Sequence, residues 1–266
     1  MSRVLNLHPS LPDHRDFLFK HTSEGMRLAP LPAAVDLEPA SSPVFDQGDM
    51  GSCSGCSSKG AVEHLELEEI RLNLPDGQDP QEYVAGQFLP VSALFIYWNE
   101  RAMEGTTASD NGATTLRDAC KVLVAQGAAR EALWPYANAN LLRQPTSQAF
   151  ADAAAHKVTA FYALNSLLDM KQCLAAGYPF LFGVSVYDSF MTSSDGNIPM
   201  PGLFESVQGG HALLCVGYDD TTQKFKFKNS WGVSFGIRGY GFLPYRYMLS
   251  PDLSMDHYTL RRIPKT

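Results

Sequence analysis

The sequence predicts an α+β fold of two lobes, and three observations carry that expectation. Helix-period segments dominate up to about residue 157. Short apolar strands and hairpin turns dominate after it, an order typical of α+β chains. Three glycine-bearing segments are divided between these halves: Gln47-Gly48-Asp49-Met50-Gly51-Ser52-Cys53, then Gly209-Gly210-His211-Ala212, then Lys228-Asn229-Ser230-Trp231-Gly232. The thiol lies in the first half, the imidazole and carboxamide in the second, which puts a cleft between the lobes.

Residues 1–35, rich in His, Pro and charge, read as an arm lying on something else rather than a domain. Ala33-Ala34-Val35-Asp36-Leu37 reads as a short strand before the motif loop. After Cys53 a helix carries Ala61, Val62, Leu65 and Leu72 on or near one face, and Leu74-Pro75-Asp76-Gly77 ends it. Residues 75 to 90 read as a surface loop, Val91 to Met103 as a second helix, and Thr114 to Ala125 as a third, ended by Gly127. Val158 to Tyr162 reads as a strand and Leu167 to Ala175 as a short helix, with Asn165 or Ser166 as its N-cap. Phe180 to Val186 is an apolar run of strand length, and Tyr178 to Val186 is the longest apolar run of the chain. Ala212 to Tyr218 and Phe225 to Lys228 flank the turn signal Asp219-Asp220-Thr221-Thr222-Gln223, and Gly239-Tyr240-Gly241-Phe242-Leu243 opens a further strand. The expected organisation is therefore an arm over 1–35, a mainly helical lobe with Cys53 over 36–157, and a β-rich lobe with His211 and Asn229 over 158–266.

Composition narrows the function classes. A hydrophobic content of 45% and charged content of 18% over 266 residues describe a globular chain with a large core. A net charge of -7 offers no electrostatic footprint for nucleic acid or an anionic membrane. No apolar run approaches the roughly 18 residues needed to span a bilayer, and the N-terminus lacks the apolar core of a signal peptide. The five cysteines, Cys53, Cys56, Cys120, Cys173 and Cys215, are odd in number and thinly spread, so they form no disulfide framework. These features point to a cytoplasmic protein, or one exported by a route without a classical signal peptide.

Cys, His and Asn, in that order, are the parts of a cysteine nucleophile with its base and orienter. A thiol attacks a carbonyl as its thiolate, and two devices would favour that form at Cys53: the N-terminal dipole of the helix it opens and an adjacent imidazole. His211 is the candidate for that imidazole and for the acid that protonates the leaving amine. Asn229 would fix its ring, Trp231 would cover their hydrogen bond, and Gln47 would donate to the oxyanion.

Gln47-Gly48-x-x-Gly51-Ser52-Cys53, Gly210-His211-Ala212 with Val216-Gly217-Tyr218, and Asn229-Ser230-Trp231-Gly232 together resemble the papain-like cysteine peptidases. Asp13-x-Arg15-Asp16, Pro43-Val44-x-Asp46-Gln47-Gly48 and Glu131-x-x-Trp134-Pro135-Tyr136 resemble a bacterial branch of that family. The resemblance implies a papain-like fold with a helical lobe and a β-barrel-like lobe flanking the cleft. It also implies a cysteine endopeptidase that acts on peptides or proteins through a thioester, without metal or organic cofactor, as a monomer. Gly112, Ala113, Gly210 and Ala212 take the positions that bind substrate backbone. The family's half-cystine before the nucleophile is Met50 here, and its partner is matched to Asp110, so that disulfide is absent. Ser54 stands where an aromatic residue usually follows the nucleophile, implying a more open leaving-group side. The resemblance leaves room for a pro-segment-like arm that covers or lines the cleft.

Other readings compete with this one. A buried structural thiol is the default for a single Cys. Cys53-Ser54-Gly55-Cys56 is also a C-x-x-C, the spacing of a redox dithiol or of half a zinc site, but no second such pair exists. A non-catalytic binding protein on the same fold, and a thiol transferase or amidase using the same residues, are the alternative functions. The Glu63/Glu66/Glu68/Glu69 cluster reads as a solvated helix face, and the histidines outside the motif as surface or satisfied residues.

Overall fold

In the computed structural model, residues 3–26, 30–110 and 114–262 are described. Strand β1 (Ala34–Asp36) leads through the motif loop into α1 (Cys53–Leu72). Five helices follow: α2 (Pro80–Gln87), α3 (Ala93–Glu104), α4 (Leu116–Ala125), α5 (Asn138–Leu141) and α6 (Ser147–Ala153). The second half runs β2 (Ala160–Ala163), α7 (Leu167–Ala175), β3 (Phe180–Tyr187), α8 (Asp188–Thr192), β4 (Val207–Asp219), β5 (Lys224–Lys228), β6 (Tyr240–Pro244), α9 (Tyr245–Met248) and β7 (Ser254–Arg261). Among the described residues the strands form one open antiparallel sheet in the order β2-β7-β3-β4-β5-β6, with β1 pairing the far end of β4.

Strand alternation sorts the core. From β3 and β4, Phe180, Phe182, Val184, Val186, Leu213 and Cys215 enter one cluster with Trp231, Phe225 and Phe227. Leu181, Ala212, Leu214 and Val216 point the other way, into a cluster shared with Cys53, Ala61, Val62 and Leu65 of α1 and Leu116 and Cys120 of α4. Both faces of β3 and β4 are thus covered, which is why these strands read as nearly unbroken apolar runs. A third cluster, with Leu94, Phe95, Tyr97 and Trp134, lies among the helices. Helix α1 is the axis between lobes, and Cys53 through Leu67 are all buried.

Two local expectations are corrected. Residues 75 to 90 hold helix α2, begun by Asp79, whose carboxylate accepts from the Gln81 and Glu82 amides, with Pro80 at the first helical position. The glutamate cluster of α1 is not a solvated face. Glu63 and Glu66 are 2% and 6% exposed. Glu63 accepts from Lys59 and from the Val91 amide, while Glu66 gathers Arg130, His156 and Arg262. Burying these carboxylates is tolerable because each is paired. Cys56, Cys120, Cys173 and Cys215 are free and buried.

The arm is threaded over both lobes. Phe19 is fully buried in the sheet-side cluster, and the Phe17 carbonyl accepts from the Ala163 amide. Asp16 receives Arg117 and the Tyr258 hydroxyl, and Asp256 receives the Ser10 amide and hydroxyl. The Asp13-x-Arg15-Asp16 motif therefore works as a fastening, with Asp13 held locally by Arg15.

Candidate active site

The Gln47 loop is laced to the Trp231 segment. The Gln47 amide donates to Ser230 O at 2.9 Å, the Gly232 amide donates to Phe45 O at 3.1 Å, and Asp46 bridges Trp231. Gly48 turns the chain with φ at +62°, a conformation that favours glycine. Cys53 then opens α1, where the first N–H groups have no carbonyl within the helix to bond. Ser52 precedes it without a side-chain cap, because its hydroxyl is engaged with Tyr136 at 2.6 Å.

His211 sits in β4 opposite Val184, on the sheet face that carries Trp231 rather than the face that packs on α1. Asn229 follows the last residue of β5. Its Oδ1 lies 2.8 Å from His211 Nε2 and also accepts from the Ser230 amide. An amide oxygen accepts, so Nε2 carries the hydrogen and Nδ1 is left bare. Among the described residues Nδ1 is buried without a hydrogen-bond partner. The Trp231 indole stacks on His211 with centroids 4.7 Å apart and planes 29° apart. Phe190 and Phe235 support the indole edge-on.

Gln47 is fully buried; its carboxamide donates to Met50 O at 2.9 Å and accepts from the Ser230 hydroxyl at 2.6 Å. Ala212 directs its amide to the Cys53 thiol. Gly210 is paired to Ser185 in β3. Gly112 and Ala113 lie outside the described residues. Ser54 is buried, donating to Glu100 and sharing a hydrogen bond of 3.0 Å with Thr114. Glu100, whose carboxyl burial pushes up to about 8, is a neighbour that motif reading missed. Among the described residues no group of His, Cys, Asp and Glu is placed to hold a metal ion.

Between these walls lies the arm. Residues 6 and 7 bridge Gly210 on one side and Thr114 on the other; Leu7 N donates to Gly210 O at 3.2 Å and His8 N to Thr114 O at 3.1 Å. The approach depends on glycine, since a Cβ on Gly209 or Gly210 would stand 2.4 Å from Leu5 O or 2.1 Å from Leu7 O. Leu7 is 4% exposed and packs with the Cys53 cluster. Arg3 donates to Asp46 at 2.8 Å and to Gly48 O at 2.6 Å, with its guanidinium 5.8 Å from the Trp231 ring centre.

Burial sets the electrostatics of both groups. Burial pushes the Cys53 thiol up to about 12, offset in part by the Ala212 and Ser54 amides. Burial also lowers His211 to about 4 against the Asn229 hydrogen bond. Burial thus moves the Cys53 thiol in the direction opposite to the one the helix dipole favours, and His211 Nδ1 makes no hydrogen bond to it among the described residues.

Comparison with known proteins adds a family to this geometry. Residues 104–247 match the model of the papain family of cysteine proteases. Xylellain, a cysteine protease from Xylella fastidiosa, superposes with a TM-score of 0.85 at 35% identity, covering 98% of this chain and 97% of its own. A peptidase C1-like protein of Acanthamoeba polyphaga mimivirus is 28% identical over 99% of this chain and 88% of its own length. The fold alone is shared with digestive procathepsin L 3 of Tenebrio molitor, at TM-score 0.67 and 18% identity, over 93% of this chain and 74% of that one.

Proposed function

The chain belongs to the papain family of cysteine proteases, a thiol peptidase with peptide or protein substrates, and on that premise we propose how its residues divide the work and how its arm restrains them. Cys53 is the nucleophile, His211 the base and then the acid, Asn229 the orienter, Trp231 the shield and Gln47 an oxyanion donor. The observation that carries this reading is the bare, buried Nδ1 of His211, whose other nitrogen is fixed by Asn229 under the Trp231 ring.

With residues 3–8 lifted, water and substrate replace the arm and the desolvation that keeps both groups neutral is relieved. The Cys53 proton passes to His211 Nδ1, and the thiolate attacks the scissile carbonyl carbon. The oxyanion takes hydrogen bonds from the Cys53 N–H and from the Gln47 amide hydrogen not given to Met50. The C–N bond breaks as His211 protonates the leaving amine, leaving a thioester on Cys53. A water then gives its proton to His211 and attacks the thioester, releasing a carboxylic acid and restoring the thiol. Such a pair acts as an endopeptidase on extended substrate, and the chain acts as a monomer.

The arm is a removable cover over residues 3–8 and a structural element beyond them, because Phe19 belongs to the core. Deleting residues 1 to 8, rather than 1 to 30, isolates its effect. The shortened chain should cleave a peptide library faster than the full chain, with Cys53→Ala inactive. Its Cys53 should be alkylated at pH 5 to 6, where an ion-paired thiolate reacts and an ordinary thiol scarcely does. A folded, shortened chain that binds peptides, leaves them whole and resists alkylation at that pH would instead be a binding protein on this fold.

A further inference from the structure

The start of α1 has no cap of its own, so the place of Cys53 depends on what holds the turn before it. Gln47 Nε2 holds Met50 O at 2.9 Å from within the loop, and Tyr136 holds the Ser52 hydroxyl. A further tie comes from the same helical lobe, just beyond α3. Asp110 Oδ2 accepts from the Gly51 amide at 2.9 Å, two residues before the nucleophile.

Asp110 is itself aimed. The Tyr97 hydroxyl reaches Asp110 Oδ1 at 3.1 Å and its backbone oxygen at 3.0 Å. Tyr97 is fully buried in α3, with the Arg101 guanidinium 4.3 Å from its ring centre. A charged acceptor bound to a backbone N–H is about twice as strong as a neutral pair. Asn6 of the arm also donates to the Asp110 backbone oxygen at 3.2 Å and to the Tyr97 hydroxyl at 3.4 Å.

We propose that Asp110, steered by Tyr97, is a positioning residue for Cys53: its carboxylate fixes the Gly51–Ser52 turn and thereby the sulfur's line of approach to the scissile carbonyl. This rests on the peptidase reading above. Where the resemblance implies a disulfide between positions 50 and 110, this chain has a hydrogen bond from the Gly51 amide to the Asp110 carboxylate, so the alignment of the nucleophile answers to a carboxylate rather than to reductant. A misplacement of about 1 Å at a reacting atom costs on the order of 100-fold in rate, so a loosened turn is expected to be visible in turnover.

The test uses the full chain carrying Leu7→Ala, with Asp110→Ala, Asp110→Asn and Tyr97→Phe added singly and each repeated without residues 1 to 8, because Asn6 touches both Asp110 and Tyr97. Asp110→Ala should lower kcat by about 10- to 100-fold with KM within threefold, and should slow Cys53 alkylation by a similar factor. Asp110→Asn, which keeps an acceptor for the Gly51 amide, should recover most of both, and Tyr97→Phe should fall between. Gly51 amide hydrogen exchange should lose protection in Asp110→Ala and keep it in Asp110→Asn. The proposal is overturned if Asp110→Ala lowers melting temperature alone, if it raises KM alone, or if Gly51 protection is unchanged. Should the Leu7→Ala parent and the chain lacking residues 1 to 8 both cleave nothing, the peptidase reading fails instead, and Gly51 exchange with alkylation at pH 9 still decides whether Asp110 places the thiol.

Discussion

Truncating Leu7 to alanine should turn the covered enzyme into a partly open one, by an amount the structure sets. The side chain is 4% exposed, and its Cδ2 fills the space where a Cβ on Gly183 would fall, 2.7 Å away. Alanine removes three carbons from this contact, or roughly 2.4 kcal/mol at about 0.8 kcal/mol each. The extra cost of a cavity in a closed core does not add, because a lifted arm lets water fill the cleft. At about 1.4 kcal/mol per factor of ten, the seated arm is disfavoured about 50-fold. Steady-state hydrolysis of a fluorogenic peptide by the full chain should rise toward that factor and level off at the rate of the chain lacking residues 1 to 8. Active-site titration would normalise each rate to competent thiol. Equal rates for the wild type, Leu7→Ala and the shortened chain, all folded, would refute the idea that the arm restrains the site. A faster shortened chain beside an unchanged Leu7→Ala would move the main hold to Arg3.

Two pH responses follow from a half-buried histidine and a buried carboxyl. Burial holds His257 down to about 4, so the unfolded chain takes up its proton below about 6.5 while the folded chain does not. Stability is therefore lost as pH falls through this window, and His257→Gln should flatten the fall in urea midpoint between pH 7 and pH 4; parallel curves would dismiss the histidine. Glu100 has the opposite sign: its carboxyl is raised to about 8, so its contribution is full below about 4.5 and lost as pH rises through 8. Glu100→Gln should gain on the wild type between pH 5 and pH 8.5 in the same assay, and a constant difference would count against a titrating Glu100.

Much of this site was legible because its chemistry is written in short, unlike segments. Gln47 to Cys53, His211 and Asn229 could be ordered by role before any fold was known, and the hairpin around Asp219–Gln223 brings the last two side by side. Strand β7 escaped notice: Ser254–Arg261 mixes Asp256, His257 and Arg261 into its pattern, and it is placed by pairing with β2 and β3 rather than by local preference. Glu66 looked solvated because its partners Arg130, His156 and Arg262 are distant in sequence. Local sequence shows the helix start at Cys53 but not its burial, which raises the thiol and comes from residues far along the chain. The partners of Ser54, Glu100 and Thr114, were not legible because both are distant in sequence.

The arm crossing Gly209 and Gly210 also bears on how small molecules would engage this protein. A cleft blocker meets an occupant already tethered in place, so its apparent dissociation constant is the intrinsic one divided by the fraction of molecules with the arm raised. Compounds ranked on the full chain would look weak in proportion to that fraction and slow in onset, while a shortened chain would report their true contacts. Conversely, a molecule that grips the arm at Pro9 and Ser10 together with Thr115 and Arg117 would hold the cover down and raise the substrate concentration needed to open it.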